Sequence, residues 1–309
     1  MKYIYSQEAA MKRMILLPLV VLFLRFAMPL TVCGDEAAEF TYTVIGQEVT
    51  VTGFSGEPET LDIPAYVGGL PVTEVRDNAF YCCTSLRRIS LPDTVKTMGH
   101  HCFYGCSSLE EAVLPRNLNV MGMGCFEGCI LLNKLTLPDG ISVLPDSCFR
   151  QCSSLTDIVL PQSIAEVEKF CFCGCKSLDY ISLGGRLRSI GMGAFYQCES
   201  LDTVYIPPSV TDIGAEAFGY TTGGETTGIN IIGESGSAAE NYAEDNGAVF
   251  SASPETVQAF DPAHSENAPV KLPPALAAAG GLLFVLASLI AVKQYLCEKK
   301  ADDDDNAID

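Results

Sequence analysis

Hydrophobic positions return every 23 residues through the middle of this chain. Phenylalanine stands at Phe80, Phe103, Phe126, Phe149, Phe172, Phe195 and Phe218 without an insertion or deletion. Leucine keeps the same step at Leu86, Leu109, Leu132, Leu155, Leu178 and Leu201. A third row runs Leu91, Leu114, Leu137, Leu160, Leu183 and Ile206, followed by proline in every coil but one, where Gly184 replaces it. Two more apolar rows begin at Val95 and Met98 and keep the same period to Val210 and Ile213. Identical spacing with identical chemistry means one coil per repeat, stacked so that equivalent side chains form ladders. Within a coil, Leu86, Ile89 and Leu91 end on the alternation of a strand, and Pro92 stops it. The pattern predicts a mainly β repeat solenoid with one parallel strand per rung, rungs about 4.8 Å apart, and the aromatic ring filling each coil. The glycine row Gly99, Gly122, Gly191 and Gly214 predicts a turn before each ring.

An open solenoid must cover both end faces. Phe40 to Gly53 alternates around Ile45-Gly46-Gln47 and predicts a capping hairpin, and Ser237 to Asn246, closed by Gly247, predicts a capping helix. The unit A/C-F-x-x-C-x-S-L-x-x-I-x-L-P-x-x-V-x-x-I-G resembles the BspA-type leucine-rich repeat of bacterial and protist surface proteins. The likeness runs over about residues 40 to 250. It extends to Leu61-Asp62-Ile63-Pro64 with Gly68-Gly69-Leu70-Pro71-Val72, similar to that family's lengthened first coil, and to Ile231-Ile232-Gly233, similar to its closing segment. The resemblance implies a right-handed coil with short helical turns, and adhesion or recognition as the role. The organisation read from the chain is a cap and lengthened first coil over 35–71, repeats over 72–228, a closing cap over 229–250 and a Pro/Ser/Ala/acidic stalk over 251–274.

The ends of the chain point to a membrane. Lys12-Arg13 precede an apolar run from Met14 to Leu24, and small residues lead to Asp35, which reads as a secretory signal peptide over 1–34. Arg25 in mid-segment disfavours an uncleaved anchor. Ala275 to Val292 is an uncharged stretch long enough for a hydrocarbon core of about 30 Å. Lys293, Lys299 and Lys300 follow it, so the positive-inside bias places the acidic tail 293–309 in the cytoplasm. A cleaved leader demands the same orientation, and a single-pass, cell-surface protein is the expectation.

Fourteen cysteines change the picture only slightly, because ten fall on the repeat. One ladder is Cys83, Cys106, Cys129, Cys152, Cys175 and Cys198. The other is Cys102, Cys125, Cys148 and Cys171, with Ala79, Ala194 and Ala217 filling its row elsewhere. A row shared with alanine is small and interior, and free cysteine behaves there as a small hydrophobe. These are read as unpaired buried thiols. Cys82 and Cys173 lie off the ladders in rows of glycine, polar residues and tyrosine, and are expected to be accessible. No metal site is expected, because the Cys/His groupings track coil architecture.

The charge excludes one partner class. The chain carries 38 acidic and 19 basic residues, and 28 against 11 between Asp35 and Phe250, which disfavours nucleic acid. No nucleophile–base set, phosphate loop or metalloprotease helix is present, so neither catalysis nor a cofactor is expected. Function is expected on the outward strand positions. Those run from Arg87-Arg88 through Glu110-Glu111, Asn133-Lys134 and Thr156-Asp157 to Asp179-Tyr180 and Asp202-Thr203, with Tyr205 beside them. The face is thus expected to grade from basic to acidic. Asp179, Tyr180, Asp202 and Tyr205 are the candidate contact patch for an extracellular protein or glycan. A structural spacer with weak self-association is the alternative.

Overall fold

The computed structural model describes residues 30–34, 38–221 and 223–253. The repeats build a parallel β solenoid whose coils have two strand-bearing sides and a third side made of turns. On the first ladder, Thr60–Asp62, Arg88–Ser90, Glu111–Val113 and Lys134–Leu135 lie side by side. Asp157–Val159 pairs with Tyr180–Ser182, and Thr203–Tyr205, Asn230–Gly233 and Val249–Ala252 close the row. Register keeps the period: Arg88 faces Glu111 and Asp157 faces Tyr180.

A second ladder was not anticipated, because one strand per rung was expected. Leu70–Val75, Thr97–Met98 and Val120–Met121 pair in parallel, as do Val143–Leu144, Glu166–Val167, Ser189–Ile190 and Asp212–Ile213. These strands are mostly two residues long, too short for alternation to be visible. Their inward members Met98, Met121, Leu144, Val167 and Ile190 are nonetheless buried, so the apolar row was legible although its strand was not.

The third side departs from the expected short helical turns. Two residues per coil sit in the left-handed region, at Asn78 and Cys82 in the first coil and at His101 and Gly105 in the next. Each reversal interrupts a helical path. Alternate N–H groups then bond across coils, Asn78 to the His100 carbonyl at 2.9 Å, Phe80 to Cys102 at 2.8 Å and Cys82 to Tyr104 at 2.7 Å. Those between them turn back within the coil, as Ala79 does to Arg76 and Tyr81 to Asn78. Among the described residues only the capping segment is an α-helix.

The seven phenylalanine rings are buried and stack in one file. Successive centroids lie 5.0 Å (Phe80–Phe103), 5.3 Å, 5.7 Å, 5.3 Å, 5.2 Å and 4.7 Å (Phe195–Phe218) apart. Both caps finish this file. At the N-terminal end Ala38–Ile45 and Glu48–Ser55 form the expected antiparallel hairpin through Gly46-Gln47, and Phe54 stacks on Phe80 at 6.2 Å. At the other end the helix Ala238–Asn246 presents Tyr242 edge-on to Phe218. The Tyr242 hydroxyl accepts from the Phe218 N–H at 2.8 Å and donates to the Phe218 carbonyl at 3.1 Å. Burial pushes this phenol up to about 12. Ser237 has the extended backbone of an N-cap but its side chain makes no capping bond; the Gly236 N–H donates to the Glu240 carboxylate.

Two boundaries move. Ser251 and Ala252, expected in the stalk, belong to the last strand, and the Ser253 N–H bonds the Gly233 carbonyl at 2.7 Å. Leu30–Gly34, expected at the end of the leader, forms a strand antiparallel to Ala38–Ile45, with Val32 opposite Phe40. The cleavage expected ahead of Asp35 would remove that strand and leave the hairpin as the edge. No described helix is long and apolar enough to cross a membrane. The rest of the leader, the stalk from 254, the apolar segment 275–292 and the tail lie outside the described residues.

Candidate ligand-recognition face

The outward face of the first ladder divides into two chemically different halves. In the first, side chains of successive coils neutralise one another. Arg87 binds Glu110 at 2.8 Å, and Arg88 reaches Asp62 at 3.4 Å and Glu111 at 3.6 Å. The parallel register places each arginine directly beside the next coil's glutamate. The expected basic start of the gradient is therefore an ion-pair lattice, which the one-coil reading of Arg87-Arg88 could not reveal.

The second half has no such compensation. Asp179 and Asp202 are exposed and one coil apart in the same row, and Asp157 accepts a hydrogen bond from Thr156 at 2.9 Å. None of the three carboxylates forms an ion pair among the described residues. Tyr180 is 43 % exposed. Tyr205 lies one coil on and two strand positions along, a diagonal spacing of about 7–8 Å between Cα atoms. It is half-buried, and burial with the nearby Glu234 charge raises its phenol. The four predicted residues thus share one face, but only three are well exposed. Val159, one coil before Ser182, adds exposed apolar surface beside the patch.

The cysteines are as expected with one correction. The twelve cysteines from Cys82 to Cys198 are free thiols, and the interior ladders are buried apart from the half-buried Cys83. Cys106, Cys129, Cys152, Cys175 and Cys198 each donate to the carbonyl of the phenylalanine 26 residues earlier, at 3.1–3.2 Å. That carbonyl also accepts the N–H three residues on, so the thiol satisfies its second lone pair, which alanine could not do. Cys102 and Cys125 approach to 3.1 Å between sulfurs. Burial holds the Cys125, Cys148, Cys152 and Cys171 thiols protonated, well above the ordinary range. Cys82 is exposed as expected, at φ 55° in a row otherwise glycine or glutamine. Cys173 is not accessible. It is 8 % exposed, at the floor of a cleft whose walls include the larger side chains of Arg150 and Tyr196, one coil to either side. Burial raises its pKa and the adjacent Arg150 draws it partly back. No grouping of His, Cys, Asp and Glu among the described residues could hold a metal ion.

The repeat region matches the BspA type leucine rich repeat region in six copies, over residues 73–183 and 121–234. Together these spans exceed half of the sequence. The chain belongs to the BspA-type leucine-rich repeat family. Solved structures share its architecture. A leucine rich repeat protein of T. pallidum is 26% identical with a TM-score of 0.53, over 69% of this chain and 95% of its own. One from Eubacterium ventriosum is 25% identical with a TM-score of 0.52, over 58% of this chain and 47% of its own. A leucine rich cell surface protein of Faecalibacterium prausnitzii, at 22% identity and a TM-score of 0.50, shares the fold over 67% of this chain and 55% of its own. This chain thus spans about half the length of the last two. None of the curated proteins compared with it matches. The BspA-type assignment suggests a binding or recognition role for the solenoid, and the second half of its ladder face is where carboxylates stand without ion pairs among the described residues.

Proposed function

We propose that this BspA-type protein is a non-catalytic, membrane-anchored cell-surface receptor or adhesin. It takes an extracellular protein or glycan on the ladder face around Asp179, Tyr180, Asp202 and Tyr205. One observation carries the reading: carboxylates are paired across coils in the first half of the face and left unpaired beside tyrosines in the second. A face kept only for solubility has no reason to change from one regime to the other. Surface display is supported by the leader and the apolar segment 275–292 in the sequence, and by the description of the F. prausnitzii relative as a cell surface protein.

The test is a binding screen of the full chain in detergent micelles against glycans and matrix proteins. Tyr180→Ala removes an exposed ring, and an aromatic anchor at an interface centre is worth about 2 kcal/mol or more, a loss of roughly thirtyfold in affinity. Tyr205→Phe, which keeps the half-buried ring and deletes its hydroxyl, is the milder companion. Unaltered capture by Tyr180→Ala rejects the patch. A chain that binds nothing and self-associates through this face is a spacer or assembly module instead.

A further inference from the structure

On the turn side of the solenoid, one outward row reads Tyr81, Tyr104, Glu127, Arg150, Cys173 and Tyr196. Where the row holds rings, they stack: Tyr81 and Tyr104 lie 4.9 Å apart at 5°, and Tyr196 continues onto Tyr220 at 6.1 Å and 18°. Between Arg150 and Tyr196 the row supplies only the small buried thiol of Cys173. The adjacent row falls short at the same coil, since Gly174 stands between Gln151 and Gln197. These two shortfalls side by side leave a cleft of about 200 Å³ lined by Arg150, Gln151, Phe170, Cys173, Tyr196 and Gln197.

Its walls follow the repeat: Gln151, Phe170 and Gln197 occupy the two left-handed positions found in every coil, at φ 62°, 55° and 62°. The Phe170 ring lies over Gly193, where a Cβ would sit 2.6 Å from it, so the ring is seated against the next coil. Arg150 has a donor to spare: its Nε is enclosed with no hydrogen-bond partner, while its Nη1 pairs with Glu127 at 3.6 Å.

The spacing selects a guest. Arg150 and Tyr196 are two coils apart, about 10 Å at about 4.8 Å per rung. Stacked rings in this protein stand 4.7–5.7 Å apart along the phenylalanine file. One ring placed between Arg150 and Tyr196 therefore meets both at ordinary stacking distance. We propose that this cleft binds a single planar aromatic ring, taken between the Arg150 guanidinium and the Tyr196 ring with Phe170 as its apolar wall. Guanidinium and tyrosine both favour an aromatic face over an aliphatic chain. The Gln151 and Gln197 amides stand ready for a polar substituent. The ring can come from a free aromatic small molecule or from an aromatic side chain of a partner protein, and this site is separate from the ladder face.

The chain has no tryptophan, so an indole probe is read without background. The full chain in micelles is titrated into N-acetyltryptophanamide and, separately, into a blocked Gly-Gly-Trp-Gly-Gly peptide. The indole emission maximum and anisotropy are followed. Saturable change is expected, abolished by Cys173→Phe, which puts a ring where the guest sits. It is weakened at least tenfold by Tyr196→Leu and by Arg150→Ala, and unchanged by Tyr180→Ala. Binding of the amide alone assigns a small-molecule ligand; binding of both assigns an exposed side chain. No saturable change with either probe overturns the proposal, as does Cys173→Phe binding as the parent does. If Cys173→Phe does not fold, unchanged affinity in Tyr196→Leu overturns it equally.

Discussion

Removing the ring of Phe149 tests whether the aromatic file is what holds neighbouring coils in register. Phe149 is fully buried, 5.7 Å from the Phe126 ring and 5.3 Å from the Phe172 ring. The backbone on both sides is fixed by bonds between coils, Phe126 to Cys148 and Phe149 to Cys171, each 2.8 Å. Those bonds keep the coils from closing over a hole. Phe→Ala in a core costs about 3–5 kcal/mol, and a cavity that cannot collapse belongs in the upper half of that range, about 4–5 kcal/mol. Two lost ring–ring contacts, about 0.5–1.5 kcal/mol each, are part of that figure. Phe149→Leu keeps an apolar side chain while losing the stacking, and is expected to cost about 1–2 kcal/mol. Phe218→Ala, beside a cap that meets it edge-on, is expected to cost about 3 kcal/mol. Equilibrium urea unfolding followed by circular dichroism measures all three. Because each coil contacts only its neighbours, the central defect should also uncouple the two halves and lower the apparent m-value. A loss below about 2 kcal/mol for Phe149→Ala, or a leucine variant as damaged as the alanine one, refutes the reasoning.

Three further outcomes are expected. Tyr242→Phe deletes a hydroxyl bonded to both backbone groups of Phe218 and should destabilise the C-terminal cap by about 1–3 kcal/mol; an unchanged melting temperature would show that the cap is held by packing alone. Cys82→Gly relieves a left-handed non-glycine residue in a row that is glycine at 105, 128 and 174, and should stabilise by about 0.5–1 kcal/mol in thermal or urea unfolding, whereas destabilisation would mean that its thiol packing outweighs the strain. With Cys33 and Cys297 replaced by serine, a disulfide-exchange reagent should label Cys82 first in the native chain. All twelve thiols from Cys82 to Cys198 should titrate in denaturant without reductant, and finding most of them oxidised contradicts the free-thiol ladders.

Much of this was legible in the residues. The phenylalanine row, the hairpin around Gly46 and the helix closed by Gly247 each combine a fixed spacing with a local signal, so pattern alone places them. The second ladder escaped because strands such as Thr97–Met98 are too short to alternate. Glycine at 105, 128 and 174 is the signal of a left-handed row, which the reading of that row as merely accessible did not use; Cys82, Gln151 and Gln197 share its backbone. The accessibility expected of Cys173 failed for a different reason. Its own row is mixed and outward, but exposure of a small side chain depends on the size of Arg150 and Tyr196, which stand 23 residues away on either side.

The sequence by itself determined the period, the interior rows, both caps and the acidity of the displayed rod, because a repeat without indels repeats the same burial and the same backbone path. The tertiary structure decided what that path brings together: Arg87 with Glu110, thiols with phenylalanine carbonyls, and a gap in the outer wall between Arg150 and Tyr196. The physical reason is that coil stacking makes residues 23 apart into neighbours about 4.8 Å distant. Charge pairing, strain and empty space are properties of those neighbours together, and no single coil contains them.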